Sequence, residues 1–346
     1  MRFSFDRDLH RLLPAAEYLS QFRHRGQANP ISHLGLTIYR IRNCLYLGSH
    51  AQAILPLQAH GALPYIFTES CPYLAHEPHL PSIVEHCLDD LKDLPELDEA
   101  VPLFPPGADN LWHWTTESLP ILLAMEAIGY AGPYIVPQGS PVPEQCFSMF
   151  GIPARRLLPG AAAYHIRNIL LPQRLSGFSL PENMPLTRFL RAKMLEAAGS
   201  LPGAKRCYIR RTGRRRILNE EDLLAVLQDF AFKIMTPETL SLAAQWQYMS
   251  NVECSIMAHG ANSTLILLQK PSSGCIELFS NRYVSYNNMH AVRLLRLRYY
   301  PLVEELNLSC ALPDNPRLFP YLQNGLTADI TADLWHVRIA LESLLC

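Results

Sequence analysis

Residues 254–279 read CSIMAHGANSTLILLQKPSSGCIELF. The apolar runs Cys254 to Ala258 and Cys275 to Phe279 are too short for helices and end in turn-forming residues, which predicts two buried strands. Between them, His259-Gly260-Ala261-Asn262-Ser263 opens an apolar stretch to Leu268 that reads as a helix. Strand, glycine turn, helix and strand make a βαβ unit, and such units build parallel sheets. Ligands of these sheets bind beyond the carboxyl ends of the strands, where the HGANS turn falls.

The pattern continues outward. Cys207 to Arg210 reads as a strand, and Asn219-Glu220-Glu221-Asp222 supplies an N-cap and an acidic first turn for a helix carrying Leu223, Leu227 and Phe230. A strand at 232–235 follows. Thr236-Pro237-Glu238 then opens a helix expected to run to about Ser250. Beyond the opening stretch lie a strand near Tyr299 and a final helix over 328–345. In the first half we expect a short helix within 1–30 and strands and hairpins over 34–70. A helix follows from Asn110 to Ile128, which Pro120 kinks or shortens, and then a strand, helix and strand up to residue 171. The fold class is α/β with a β-hairpin-rich N-terminal section. A length of 346 residues favours two domains, set here at 1–185 and 186–300, with a tail at 301–346 whose helix packs back on the body.

A formal net charge of -1 argues against whole-molecule attraction to nucleic acid. The nine cysteines form no C-x-x-C pair, which suits buried, reduced thiols better than disulfides or a zinc site. The N-terminal residues mix charges into apolar positions, unlike a signal peptide, and no segment approaches the roughly 18 apolar residues of a membrane span. The expected location is cytoplasmic.

Three groups of residues could carry chemistry. Lys205, Arg206, Arg210, Arg211, Arg214, Arg215 and Arg216 crowd into positions 205–216, interrupted only by a strand core and a Thr-Gly turn. Most cations in such a loop are simply solvated, but arginines at the mouth of an α/β sheet are placed to meet phosphate, with Arg210, Arg211 and Arg216 favoured. A single-stranded nucleic acid is the rival ligand, and no aromatic platform accompanies the run. His259, Gly260, Ala261, Asn262 and Ser263 lie at a helix start, whose amides suit a diphosphate; a plain capped turn is the alternative. His259 reads either as a structural histidine or as a phosphate donor. Asn110, His113 and Glu117 share one helix face, a layout for activating an acceptor hydroxyl, with Trp112 and Trp114 beside them as stacking surfaces for a sugar. Glu277 is a lone acid in an apolar strand and needs a partner, either ribose hydroxyls or an arginine of the basic loop. No P-loop, dinucleotide fingerprint or metalloprotease motif occurs, so no cofactor and no metal are expected.

NLWHWTTESLPILL at 110–123, YIRRTGRRRILNEEDLLAVL at 208–227 and MAHGANSTLILLQKPSSGCIELF at 257–279 together resemble glycosyltransferase family 61. This family includes bacterial capsule and lipopolysaccharide enzymes, plant xylosyltransferases and EGF-domain O-GlcNAc transferases. Asn110, Trp112, His113 and Glu117 meet its N-x-aromatic-H-x-x-x-acid pattern; Arg215, Arg216, Asn219 and Glu220 meet its arginine region; His259, Gly260 and Ala261 meet its H-G-A. Met257-Ala258 and Asn262 depart from the family's usual Gly-Pro and Gly.

The resemblance implies a GT-B architecture, two Rossmann-like domains facing a cleft. It further implies an inverting, metal-independent glycosyltransferase that takes a nucleotide sugar, expected to be a UDP-sugar, to a glycan or glycolipid acceptor in surface polysaccharide biosynthesis. Glu117 or, with the roles inverted, His113 is then the base. Asn110, Arg210, Arg211, Arg215, Arg216, the five residues 259–263 and Glu277 bind the donor. Bacterial relatives lead us to expect a peripheral encounter with the inner membrane and no nucleic-acid partner. A non-catalytic nucleotide-sugar or polyanion binding protein is the alternative.

Overall fold

The computed structural model describes residues 94–103, 109–172, 184–199, 203–285, 287–304 and 327–345, with Leu34, Leu36 and the strand segments 19–21, 38–47, 53–58, 61–62, 66–67 and 74–75. It divides into two compact units, Met1–Ser176 and Gly177–Cys346. Each unit has its own sheet, and the class is α/β.

The first described element of the first unit is β1 (Leu19–Gln21), within the stretch where a helix was expected; the rest of that expectation lies outside the described residues. Strands β2 (Ile38–Leu47), β3 (Ala53–Gln58), β4 (Gly61–Ala62), β5 (Ile66–Phe67) and β6 (Leu74–Ala75) pair antiparallel, as the hairpin reading of 34–70 expects. Strand β2 also pairs antiparallel with β10 (Ala163–Pro172). From there the sheet turns parallel through β7 (Glu96–Pro102), β8 (Tyr134–Val136) and β9 (Leu157–Pro159). Cys44, Tyr46, Ala100, Ile135, Tyr164, Ile166 and Ile169 form its core.

Helix α1 of this unit has three successive parts: α-helical Leu111–His113, a π-helical turn Trp114–Ser118, and α-helical Leu119–Ala127. Every residue from Trp114 to Met125 is buried, so the helix is central rather than amphipathic. Pro120 neither ends the helix nor starts a new one. Its ring excludes the carbonyl four residues back and its nitrogen has no proton. The widened turn just before it relieves that conflict, and π-turns of this kind often mark functional positions. Helix α2 (Val142–Met149) follows, and Arg156 ties the unit together through Glu126 and the carbonyls of Tyr130 and Gly132.

The second unit opens with α3 (Met184–Ala198), which the sequence reading did not foresee. Its sheet has strands β11 (Arg206–Ile209), β12 (Lys233–Met235), β13 (Cys254–Ala258), β14 (Gly274–Phe279) and β15 (Arg298–Val303), all parallel, in the order β12-β11-β13-β14-β15. Strands β13 and β14 are buried on both faces, which is why each is an unbroken apolar run. Cys254, Ile256, Ala258, Ile276 and Leu278 pack with α4 (Glu220–Asp229) and the final helix, and the alternate residues, including Glu277, face the other way. Such a strand order leaves a crevice where the connections diverge, between β11 and β13, and ligands of doubly wound sheets bind there.

Several boundaries differ from expectation. The stretch after Thr236 is a single 3-10 turn, Pro237–Thr239, and α5 (Leu242–Met249) starts afresh with Ser241 as its cap. Asn219 does not cap α4. Its amide instead exchanges two hydrogen bonds with the backbone of Ala332, pinning the segment before the last helix. That helix, α7 (Leu334–Leu345), begins at 334, where Asp333 accepts from the amide of His336. The stretch 261–268 is a 3-10 helix rather than an α-helix.

The five described cysteines are buried and unpaired. Burial pushes the thiols of Cys146, Cys207 and Cys254 up to about 12, the behaviour of inert core residues.

His290, fully buried on α6 (Met289–Leu295), donates Nδ1–H to the carbonyl of Asn287, and burial lowers its pKa to about 4. The unfolded chain protonates this ring near 6.5, so the contribution of the neutral ring is whole above that pH and is lost as the pH falls towards 4. Urea titrations of the second unit should show a loss on the order of 3 kcal/mol over that window, and His290→Leu should flatten the slope.

Candidate functional site

The crevice of the second unit is bordered by the connection after β11 and the connection after β13, where the arginine run and the HGANS turn lie. The arginines separate into two sets. Arg210 donates through Nε to Glu220 Oε1 at 3.0 Å, an oxygen that also accepts from the Tyr208 hydroxyl at 2.7 Å. Arg216 is 60% exposed and turns to Asp329, with both its backbone amide and its guanidinium donating to that carboxylate. These two side chains serve the connection itself.

Arg211 and Arg215 instead meet the HGANS turn. A Cβ at Gly260 would overlap Nη1 of Arg211, so the glycine lets the guanidinium lie against the backbone. The close approach expected of a ligand at this glycine is made by the protein's own arginine. Arg211 also donates through Nε to the carbonyl of Arg214. Arg215 has φ of 60°, left-handed, which costs an ordinary residue roughly 1 kcal/mol and is the kind of strain that gathers at working sites. Its Nη1 lies 3.3 Å from the carbonyl of His259 and its guanidinium stands 4.9 Å from the Tyr283 ring centre. Burial lowers the pKa of both arginines, and for Arg211 the neighbouring charge of Arg215 adds to it. Two half-buried cations that repel one another gain from an anion. Beside them a groove of ≈ 480 Å³ is bounded by Arg210, Arg211, Arg216, Leu218 and Glu220.

The 3-10 helix Ala261–Leu268 has no side-chain cap. Ser263 donates its hydroxyl back to the carbonyl of Gly260, to which its amide also bonds, and Asn262 reaches Glu238. The amides of Ala261 and Asn262 precede the first intrahelical bond and are directed outward from the helix start. At the other end Arg191 donates to the carbonyls of Leu267 and Gln269, fixing the short helix in place.

Glu277 is 1% exposed, lies close enough to Arg215 for their charges to interact, and takes its hydrogen bonds from three other side chains. One oxygen takes His259 Nδ1 at 2.6 Å and Asn288 Nδ2 at 2.8 Å; the other takes the Tyr299 hydroxyl at 2.6 Å. Asn288 and Tyr299 escaped the sequence reading. Both lie on later elements with no motif around them, and only the lone acid at 277 signalled that partners must exist.

In the first unit Asn110 caps α1, accepting from the amide of Trp112 at 2.8 Å. The π-turn buries Glu117, whose Oε2 lies 3.2 Å from His113 Nδ1. The exposures differ sharply: 37% for the His113 side chain and 5% for Glu117. Neither tryptophan offers a face for a sugar. Trp114 is fully buried with Nε1 on Cys146 Sγ, and Trp112 is 7% exposed, its ring edge-on to His113. The indole N–H of Trp112 is buried without an acceptor among the described residues.

Among the described residues no group of three or more His, Cys, Asp or Glu side chains could hold a metal ion, and no helix is long and apolar enough to cross a membrane. No curated protein matches the chain. A family model described as Glycosyltransferase 61 matches residues 111–276, a span that takes in His113, Glu117, the arginine loop and His259. This match supports assignment of residues 111–276 to glycosyltransferase family 61 and a glycosyltransferase activity for the chain.

Proposed function

We propose that this glycosyltransferase inverts the anomeric centre without a metal, moving a sugar from a UDP-sugar to a hydroxyl of a glycan or glycolipid in surface polysaccharide biosynthesis on the cytoplasmic side of the membrane. The observation that carries the reading is the meeting of Arg211, Arg215, His259 and the outward amides of the 3-10 helix at the divergence of β11 and β13. The two guanidiniums and the amides are hydrogen-bond donors. A diphosphate is all acceptors, and two guanidiniums supply the positive charge that its departure needs.

The exposures in α1 favour His113 over Glu117 as the base. The accessible imidazole can reach an acceptor hydroxyl, and the buried carboxylate 3.2 Å from Nδ1 favours the positive charge that the ring takes on with the acceptor proton. The acceptor oxygen then bonds to the anomeric carbon as the bond to the diphosphate oxygen breaks. The acceptor proton passes to His113 and the bonding pair stays on the diphosphate. Asn110, on this reading, positions α1 rather than the donor.

The test is calorimetric titration with UDP in EDTA. Wild type and Glu117→Gln should bind alike, because Glu117 belongs to the acceptor side; absence of binding by wild type would reject the donor nucleotide or the metal-free site.

A further inference from the structure

His259 has two ring nitrogens with different fates. Nδ1 is committed to Glu277 at 2.6 Å, while Nε2 has no partner among the described residues and is not among the sealed, unsatisfied atoms of the core. Phe279 stacks on the ring at 4.8 Å and Tyr283 lies at 5.5 Å, so it cannot turn over freely. A carboxylate can accept from all three of its partners at once, the imidazole N–H, the Asn288 amide and the Tyr299 hydroxyl. Asn288 also donates to Ser263 Oγ at 2.7 Å, joining this pair to the first turn of the 3-10 helix.

A neutral imidazole carries a single N–H. With that proton held at Nδ1 by Glu277, Nε2 presents a lone pair, which repels a phosphate oxygen. We infer that binding of a nucleoside diphosphate to the second unit is coupled to uptake of one proton at Nε2 of His259, with Glu277 imposing the coupling and Tyr299 and Asn288 holding Glu277 in place. The inference rests on the donor-site reading above. The charged and titratable groups around the ring are consistent with it. Arg215 beside the His259 carbonyl and Arg211 against Gly260 oppose a further positive charge, Glu277 favours it, Glu238 lies on the Arg211 side, and Tyr283 and Tyr299 are neutral hydroxyls. An arriving diphosphate tips this balance.

The experiment is calorimetry of UDP binding at about pH 8 in two buffers of different ionisation enthalpy, where the nucleotide's own phosphates are already ionised. Wild type should take up about one proton, and its affinity should fall towards tenfold per pH unit above the histidine range. His259→Gln should bind with no uptake, since its amide donates without titrating. Tyr299→Phe should move the fall in affinity to higher pH, because a carboxylate with one donor fewer holds the imidazolium proton more tightly. Binding by wild type without proton uptake, uptake that persists in His259→Gln, or an unchanged profile in Tyr299→Phe would overturn the inference and leave the donor site standing. No binding by wild type would overturn both.

Discussion

His113→Asn should lower turnover by about 10²- to 10⁴-fold, the usual worth of a positioned base, while UDP affinity stays within about twofold. The two readouts separate because α1 belongs to the first unit and the proposed diphosphate ligands to the second. Glu117→Gln should lose less turnover than His113→Asn, since the imidazole that takes the proton remains, although the charge that stabilises the imidazolium is gone. Should Glu117→Gln abolish turnover and His113→Asn spare most of it, the carboxylate would be the base, and the 3.2 Å contact would then serve to tune it.

How far this was legible in the sequence depends on what each residue touches. Strands β13 and β14 were readable nearly to the residue because both faces are buried and Gly and Pro mark their ends. Helix α3 was legible in principle: Leu186, Leu190, Met194 and Ala198 recur every four residues and are all buried, but two prolines and a glycine-rich flank masked the stripe. Length and type were harder after Thr236 and at 261–268, where local signals favour a helix and tertiary packing decides which kind. The cation run led us to expect a phosphate site and to favour Arg210, Arg211 and Arg216, whereas the arginines that meet the HGANS turn are Arg211 and Arg215. That depends on the backbone at Arg215, whose left-handed turn no propensity scale predicts, and on carboxylates at positions 220 and 329 that claim Arg210 and Arg216. Glu277 advertised itself by its isolation, whereas Asn288 and Tyr299 reach it only through the fold.

Arg215→Met should weaken UDP binding by about 10- to 100-fold, the loss expected when a charge-assisted hydrogen bond of roughly 1.5–3 kcal/mol goes unmade. Methionine keeps much of the stem that packs by Tyr283 and deletes the guanidinium, so the change reports on charge rather than on a void. The matched control is Arg216→Met. Its guanidinium is 60% exposed and already turned to Asp329, so UDP affinity should change by less than about threefold, as for other exposed pairs. Salt should discriminate further. The contribution of Arg215 comes from a half-buried cation and should persist as ionic strength rises, whereas any attraction contributed by Arg214 or Arg216 at the rim should be screened. Equal losses in both variants would mean that the loop acts as a diffuse cationic surface; a loss confined to Arg216→Met would move the diphosphate away from the HGANS turn and towards the groove beside Leu218.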